Sequence, residues 1–300
     1  MDGVDGLVDL FRGGGVVVLS GAGISTESGI PDYRGPTGRS RRVSPMSYQS
    51  FVTDPDARRR YWARSFVGWR LMTAATPNDG HRAVAELQSH GMLAGIVTQN
   101  VDGLHQAAGA RGVVELHGGL DRVICLHCGH LSPRAELDAR LRDANPWFAA
   151  IAVGARPDGD VDLPGDAVSS FRTVGCPRCQ GLLKPDVIFF GETVPRERVQ
   201  ACFDLVESAR ALVVLGSSLS VMSGRRFVLR AVKSGIPVAI VNQGPTRGDD
   251  YANLRLDAPL GPSLRRVVTT LTGQVAAVVH SAEIGRQVSP SPKLNESSPQ

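Results

Sequence analysis

The chain has 300 residues, a formal net charge of +4, 42% hydrophobic residues and 21% charged residues. This length and composition predict a soluble globular protein with one large or two modest domains. No apolar run approaches the length of a membrane span, and no secretory signal is recognisable, so we expect a cytoplasmic protein without a membrane partner. The small net charge gives no reason to expect nucleic-acid binding.

Six short apolar runs end abruptly in small or polar residues and predict buried strands: Val16–Ser20, Ile96–Gln99, Val113–Leu116, Val187–Phe190, Leu212–Gly216 and Val238–Asn242. Helical patterns separate several of them: His81–His90, Arg196–Ala209 and Gly224–Ser234. Strands that alternate with helices indicate a parallel sheet covered on both faces. Ligands of such sheets bind at the carboxyl ends of the strands, so the polar residues there are candidate site residues.

The first strand ends in the glycine turn GAGIS. Gly21 and Gly23 match the start of the dinucleotide-binding pattern G-x-G-x-x-G, but Thr26 replaces the third glycine, which weakens the case for an ordinary dehydrogenase. Glycines here can bring backbone N–H groups close to a pyrophosphate, although a plain strand-to-helix turn is the alternative. The next stretch, SGIPDYRG, suits a polar lid over a bound cofactor.

Two histidines compete for a catalytic role. His117 follows directly on an apolar strand, at the rim where ligands bind, and an imidazole there can accept a proton near neutral pH. His105 lies further from its strand, in a segment that favours a helix, where a buried structural histidine is the simpler interpretation. We therefore expect His117 to be the general base.

Four of the five cysteines form two C-x-x-C pairs. Two such pairs can supply four thiolates to one tetrahedral zinc ion, whereas free cysteines or a redox pair are the alternatives. The long segment between the pairs requires an inserted sub-domain. We expect one structural zinc ion held by Cys125, Cys128, Cys176 and Cys179; Cys202 is interpreted as a small buried residue.

The chain resembles the sirtuins, NAD-dependent protein deacylases, from about Gly15 to about Leu271. The motifs that carry the resemblance occur in the family's order: GAGISTESGIPDYRG, TQNVDGLHQAAG, ELHG, the two cysteine pairs, KPDVIFFGE, GSSLSV and VNQGPTRGD. The stretches RYWARSFVGW and GPTRGDD are similar to the class II branch, which includes a mitochondrial enzyme credited with ADP-ribosyl transfer and removal of bulky acyl groups.

The resemblance implies an α/β fold, a Rossmann-like doubly wound parallel sheet with a small zinc-binding domain formed by insertions. The NAD-binding domain would comprise residues 1–35, 78–120 and 184–272. A helical insertion, 36–77, and a zinc-binding insertion, 121–183, would form the small domain. The Pro- and Ser-rich end of the chain predicts a disordered tail over 273–300.

The resemblance also assigns NAD-binding residues. Along the phosphates and in the lid we expect Gly21, Ala22, Gly23, Ser25, Asp32, Tyr33 and Arg34. Around the nicotinamide and its ribose we expect Gln99, Asn100, Val101 and Asp102, with Asn100 and Asp102 taking part in catalysis. On the adenosine side we expect Gly216, Ser217, Ser218, Asn242, Gln243 and Gly244, together with Leu260, which stands where many relatives have a smaller residue.

In the reaction that the family implies, the carbonyl oxygen of an acyl-lysine displaces nicotinamide from the ribose, and His117 draws a proton from the ribose diol. The products are free lysine and O-acyl-ADP-ribose, so NAD is consumed. Acyl-lysine proteins or peptides are the implied partners. They would pair as a strand with VIFFGE, including Val187, Phe189, Gly191 and Glu192, and with GSSLSV.

Tyr61 and Arg64 raise the question of which acyl group is preferred. Relatives that remove succinyl groups carry a Tyr-x-x-Arg pair that binds the acyl carboxylate. A pocket for long or branched acyl groups, and a solvated arginine beside a packed tyrosine, are the alternatives. Three other activities remain open at this stage: protein mono-ADP-ribosylation, a silent NAD or ADP-ribose sensor, and a hydride-transferring dehydrogenase.

Overall fold

The computed structural model of the protein describes residues 3–33, 45–148, 159–161, 163 and 168–287, with side chains up to residue 273. Its strands are β1 (Val16–Ser20), β2 (Leu93–Thr98), β3 (Val114–Glu115), β4 (Gly118–Cys125), β5 (Leu131–Pro133), β6 (Leu183–Val187), β7 (Ala211–Leu215), β8 (Val238–Val241) and β9 (Leu254–Leu256). Its helices are α1 (Gly3–Arg12), α2 (Tyr48–Thr53), α3 (Pro55–Ala74), α4 (Asp79–Ser89), α5 (Leu104–Ala107), α6 (Arg134–Ala144), α7 (Arg196–Ser208), α8 (Met222–Lys233) and α9 (Leu260–Gln287), with short 3-10 turns at Ala22–Ser28 and Asp249–Tyr251.

Six strands form a parallel sheet in the order β3-β2-β1-β7-β8-β9. The chain leaves the centre of the sheet in one direction after β1 and in the other after β7. A crevice therefore opens between the carboxyl ends of β1 and β7, which is where open α/β sheets bind their ligands. The predicted doubly wound, Rossmann-like sheet is confirmed.

Alternation along β1 explains why this sheet is buried on both faces. Val16 and Val18 pack against α1, α4 and α9, whereas Val17 and Leu19 pack against α7 and α8. All five residues of β1 and of β7 are buried. A strand covered on both faces gains stability from every apolar side chain, which is why these runs carry no polar alternation.

A second, antiparallel sheet has the strand order β5-β4-β6. The sequence predicted a strand of the parallel sheet over Val187–Phe190, and this is wrong. The strand is β6, which ends at Val187 and pairs with β4. Beyond it, Phe189 is buried and Phe190 is exposed, a pattern that does not suit a strand covered on both faces.

The antiparallel sheet packs against an aromatic helix face. Tyr61, Trp62 and Phe66 of α3 share an apolar cluster with Val123 of β4 and Leu137 of α6. The helical segment between β1 and β2 and the segment that follows β3 therefore share one apolar core. Burial of large rings supplies much of its apolar area.

The last helix, α9, differs from the sequence expectation. The predicted disordered tail begins at Gly273, but α9 continues to Gln287, because a single glycine does not end a helix whose apolar spacing persists. Residues 288–300 lie outside the described part of the chain. None of the described helices is both long and apolar enough to span a bilayer.

Candidate active site

A cavity of about 490 Å³ opens at the carboxyl ends of β1, β2, β7 and β8. Its size is that of typical small-molecule sites. The predicted cofactor residues that line it are Gly21, Ala22, Gly23, Ser25, Asp32, Tyr33, Gln99, Asn100, Val101, Asp102, Gly216, Ser217, Ser218, Asn242, Gln243 and Leu260. Gly244 does not line it; its φ of 84° turns the loop, and its N–H donates to Asp257. Arg34 lies outside the described residues.

The glycines after β1 allow the two central strands to approach. A Cβ at Gly21 would lie 2.7 Å from the Cβ of Ser217, and one at Gly23 would lie 2.8 Å from the Cα of Gly216. The N–H groups of both glycines already donate, to the carbonyls of Leu215 and Gly216. Contrary to the sequence expectation, these two N–H groups serve strand contact and are not directed at a phosphate.

Ser25 is the centre of a buried polar network beside the cavity. Its hydroxyl donates to Asp102 Oδ2 at 2.7 Å and accepts from Asn100 Nδ2 at 3.0 Å. His81 Nε2 lies 3.4 Å from the same oxygen, and His81 Nδ1 accepts from the N–H of Asn78. The network fixes the directions of Asn100 and Asp102 toward the cavity.

Asp102 is held in a low-dielectric position. Burial raises the pKa of its carboxyl, whereas the hydrogen bonds from Ser25 and from the backbone N–H of Leu104 lower it. Oδ1 accepts from Leu104 at 3.0 Å, so each carboxylate oxygen has a donor inside the protein. A carboxylate held in this way can accept a further hydrogen bond from a bound amide.

His117 has a defined tautomer. Its Nδ1 lies 2.9 Å from the backbone carbonyl oxygen of Gln99, which can only accept, so Nδ1 carries the hydrogen. Nε2 then has the lone pair, and the hydroxyl of Ser223 lies 2.8 Å from it. Burial lowers the pKa of His117, assisted by the nearby cations Arg198 and Arg226 and opposed by the Gln99 carbonyl. The imidazole is therefore neutral near pH 7 and able to accept a proton at Nε2.

His105 occupies a different environment. It lies on α5, away from the cavity lining, and Ser20 Oγ is 2.8 Å from its Nε2. Burial lowers its pKa to about 4. Its ring stacks edge-on against that of His81, with centroids 5.1 Å apart. This is the structural position that the sequence indicated for His105.

The four predicted zinc ligands form one cluster. All four Sγ atoms lie within 4.8 Å of one another, with Cys125 and Cys179 3.5 Å apart and Cys128 and Cys176 3.7 Å apart. Four thiolates around one zinc ion, at about 2.3 Å each, are separated by about 3.8 Å. A Cβ at Gly181 would lie 3.1 Å from two of these sulfurs, so a larger residue at this position would crowd the cysteine cluster. The residues fit a structural zinc ion.

Comparisons with known proteins agree with this arrangement. Residues 21–223 match the Sir2 family. The chain belongs to the sirtuins. It is 60% identical over 265 residues to NAD-dependent protein deacetylase 1 of Streptomyces coelicolor, covering 88% of this chain and 89% of the relative. It is 51% identical over 261 residues to the NAD-dependent protein deacetylase of Bordetella bronchiseptica, covering 86% and 95%.

Solved structures show the same similarity. A complex described as Sir2-p53 peptide-NAD+ superimposes with a TM-score of 0.72 at 31% identity, covering 89% of this chain and 98% of that one. Sir2Tm bound to a propionylated peptide gives a TM-score of 0.71 at 30% identity, covering 91% and 99%.

The predicted peptide-binding residues of this sirtuin also line the cavity. A buried lysine that the sequence analysis did not single out forms hydrogen bonds with two residues of this loop. Lys184 is buried, and its Nζ donates to the carbonyl of Val187 and to Glu192 Oε2 at 3.1 Å. Glu192 Oε2 also accepts from the N–H of Phe189, while Gly191 turns the loop with a φ of 82°. Because its carboxylate is engaged, Glu192 holds the loop in shape. Lys184 stands inside the quoted motif KPDVIFFGE, so its position was the available signal.

Tyr61 and Arg64 are separated by the fold. Tyr61 lines the cavity and packs edge-on against Phe51 and Phe189. Arg64 does not line it: its Nε and Nη2 atoms pair with the two carboxylate oxygens of Asp160 at 3.0 and 2.8 Å. The two-pronged contact predicted for a substrate carboxylate is thus made to the protein's own Asp160, which counts against a carboxylate-reading acyl pocket.

Proposed function

We propose that this sirtuin is an NAD-dependent protein lysine deacetylase in which His117 is the general base. The observation that carries the proposal is the geometry of His117: a neutral imidazole, protonated at Nδ1, with Nε2 at the wall of the cavity. A base with its lone pair on the cavity side can take a proton from a bound hydroxyl once that hydroxyl replaces the Ser223 contact.

Different parts of the cavity would contact different groups of NAD. Asn242, Gln243 and Leu260 would contact the adenosine end, and the turn after β1 would meet the phosphates. Asp102 would accept a hydrogen bond from the nicotinamide carboxamide, and Asn100 is oriented beside it by Ser25. When bound, NAD supplies a ribose carbon whose bond to nicotinamide breaks during the reaction.

His117 would take the proton of a ribose hydroxyl at Nε2, while Gln99 keeps Nδ1 protonated and holds the ring plane. The cations Arg198 and Arg226 favour the neutral form before the proton arrives. His117 thereby makes the hydroxyl oxygen nucleophilic toward the acyl group, which is the step that a general base contributes.

The acyl-lysine peptide would lie beside the loop held by Lys184 and Glu192. The side chains of Tyr61, Val187 and Phe189 give that end of the cavity an apolar wall, which suits a short uncharged acyl group such as acetyl. The curated relatives are named as deacetylases, in agreement with this choice.

Three finer assignments are part of the proposal. Membership of the class II branch is supported only by the stretches RYWARSFVGW and GPTRGDD, because the relatives above are bacterial deacetylases. The division into an NAD-binding domain and a small domain is supported by the two separate sheets and their separate apolar clusters. A cytoplasmic location, which is the expectation from the sequence, is the third assignment.

Protein mono-ADP-ribosylation is the second candidate, because it begins with the same bond cleavage. The test is mass spectrometry of the products formed from NAD and a panel of acyl-lysine peptides. Deacetylation predicts equal amounts of nicotinamide, free lysine peptide and acylated ADP-ribose. A mass gain of ADP-ribose on protein, without peptide deacylation, would replace the proposal with the second candidate.

The same assay addresses the remaining alternatives. A silent sensor would release no nicotinamide in the presence of any acyl peptide. A hydride-transferring enzyme would produce the absorbance of reduced cofactor, which we do not expect. Succinyl-lysine peptides cleaved faster than acetyl-lysine peptides would restore the carboxylate-reading pocket that the Arg64–Asp160 pair argues against.

A further inference from the structure

We propose that Ser223 is a positioning residue for the base: its hydroxyl is the hydrogen-bond partner of His117 Nε2 both before and after the base takes its proton. This inference rests on the proposed function, since it assumes that His117 is the base. Ser223 is the second residue of α8 and lines the cavity. It lies just beyond GSSLSV and belongs to none of the motifs that identified the family.

The direction of the hydrogen bond follows from the other side of the ring. Because Nδ1 carries the hydrogen that points at the Gln99 carbonyl, Nε2 of the neutral imidazole can only accept. The Ser223 hydroxyl, 2.8 Å away, is therefore the donor. The ring of His117 is thus held between a backbone carbonyl and a side-chain hydroxyl, and neither contact allows it to rotate freely.

The neighbouring residue explains how α8 comes close enough. A Cβ at Gly224 would lie 2.5 Å from Oε1 of Gln99, so a larger residue in the first turn of α8 would displace the Gln99 side chain from its present position. Ser223 then reaches the imidazole from one side, while Gln99 holds it from the other. The dipeptide Ser223-Gly224 and Gln99 act together as a clamp on the base.

A hydroxyl can serve both protonation states of an imidazole, since it donates or accepts after rotation about its C–O bond. When a ribose hydroxyl approaches, the Ser223 hydroxyl rotates about its C–O bond and no longer donates to Nε2, so the lone pair becomes available. The ribose proton then moves to Nε2, and the Ser223 oxygen can accept the new N–H while it keeps its own proton. Because charge-assisted hydrogen bonds are about twice as strong as neutral ones, Ser223 favours the protonated product of this step.

Two cations near His117 act in the opposite direction. Arg226, also on α8, and Arg198, on α7, disfavour a positive imidazole. On the strand side, the Gln99 carbonyl faces the ring and favours the protonated form. Ser223 therefore adds to the Gln99 carbonyl in offsetting two nearby positive charges once His117 is protonated.

The test compares Ser223→Ala, Ser223→Thr and the control Ser208→Ala, all assayed with acetyl-lysine peptide and NAD. Ser208 is an exposed serine at the end of α7 that does not line the cavity. Loss of one hydrogen bond to the base predicts a kcat about 5- to 10-fold lower in Ser223→Ala, with KM values for both substrates within about 2-fold of the wild type. The acidic limb of the kcat profile should move to lower pH by about half a unit, because the protonated imidazole loses more than the neutral one.

Ser223→Thr, which keeps the hydroxyl, should restore both kcat and the pH profile, and Ser208→Ala should match the wild type. Wild-type kcat and pH profile in Ser223→Ala would overturn the inference, as would a threonine variant as slow as the alanine variant. Parallel assays of His117→Ala separate the two claims. If His117→Ala also turns over normally, the proposed function itself fails; if it is inactive while Ser223→Ala is unchanged, only the role of Ser223 fails.

Discussion

The large parallel sheet and the cysteine-bearing antiparallel sheet are stabilised in different ways. In the large sheet, β1 and β7 are buried at every position and the two apolar clusters on its faces are extensive. In the small sheet, β5 has three residues with exposed or half-buried side chains, and the end of β4 is joined to the four-cysteine cluster. Burial alone can stabilise the first, whereas we expect the second to need a bound metal ion in addition to its own apolar cluster.

This difference separates stability from catalysis. The proposed base and the proposed NAD-binding residues line the cavity at the carboxyl ends of the large sheet's strands. The apolar acyl wall includes Tyr61 and Phe189, which belong to the apolar cluster of the cysteine-bearing sheet. Loss of the metal ion should therefore weaken peptide binding more than NAD binding.

Removal of one thiolate is the change with the largest expected effect. Structural zinc contributes on the order of 10 kcal/mol to small zinc domains, so Cys176→Ser should lose most of its metal and open the region around β4–β6. Elemental analysis measures the metal, and hydrogen exchange followed by mass spectrometry localises the opening. Exchange in β1 and β7 should change little.

Cys202→Ala is the matched control, because this buried cysteine packs on α7 beside the large sheet. It should cost about 1 kcal/mol of stability and leave one equivalent of zinc per chain. A full equivalent of zinc in Cys176→Ser, or none in the well-folded wild type, would contradict the assignment.

Acid should weaken the large sheet through its two buried histidines. Burial lowers the pKa of His81 to about 3 and that of His105 to about 4, so the folded state binds fewer protons than the unfolded chain below about pH 6.5. Stability is therefore complete above that pH and falls as the pH decreases toward 4. Between pH 7 and pH 5 each histidine should cost about 2 kcal/mol.

Urea unfolding of His105→Gln measures this contribution. The variant should lose about 2 kcal/mol less than the wild type on acidification from pH 7 to pH 5, whereas the exposed His90→Gln should lose as much as the wild type. An identical acid loss in all three proteins would show that His105 does not stay neutral in the fold.

Lys184→Met tests the peptide side of the comparison. Methionine fills a similar volume but cannot donate to the Val187 carbonyl or to Glu192. The proposed peptide-binding loop therefore loses two hydrogen bonds. We expect the KM for the peptide to rise about 10-fold and the KM for NAD to stay within about 2-fold. Arg230→Met, which breaks the exposed pair with Glu207, should change neither value. Equal increases in both KM values would show a general loss of structure.

Gln180→Gly should have the smallest effect, and it should raise the free energy of unfolding instead of lowering it. Gln180 follows the second cysteine pair with a φ of 58°, at the place where Gly129, with a φ of 69°, follows the first. Replacing a left-handed glutamine by glycine should relieve roughly 1 kcal/mol of strain, part of which the greater freedom of unfolded glycine removes. Chemical denaturation should show a gain of about 0.5 kcal/mol. Destabilisation would mean that the Gln180 side chain contributes contacts that exceed the strain.

The central strands of the large sheet were readable from the sequence because residues 16–19 and 212–215 are apolar at every position and are followed by small or polar turns. The antiparallel strands that follow β3 could not be predicted from the sequence. There, β4 and β6 pair across a long insertion, and no local pattern reports a partner so distant in sequence. The end of α9 was missed because the disorder predicted from the Pro- and Ser-rich end of the chain was extended back to Gly273.

The site was predictable where a motif places a side chain at a strand end, as for Asn100, Asp102 and His117. It was not predictable where a contact depends on how elements pack. The pairing of Arg64 with Asp160 joins two insertions, and the contact of Ser223 with His117 joins α8 to the end of β3. Both contacts are long-range, so a helix or strand period carries no information about them.

The most direct test of the account measures deacetylation and NAD binding together in His117→Ala. With acetyl-lysine peptide and NAD, the account predicts a fall in kcat of about 100-fold or more, as expected for a lost general base, while calorimetry finds NAD affinity close to that of the wild type. Turnover at the wild-type rate near neutral pH, with the substitution verified by mass spectrometry, would contradict the claim that His117 is the base.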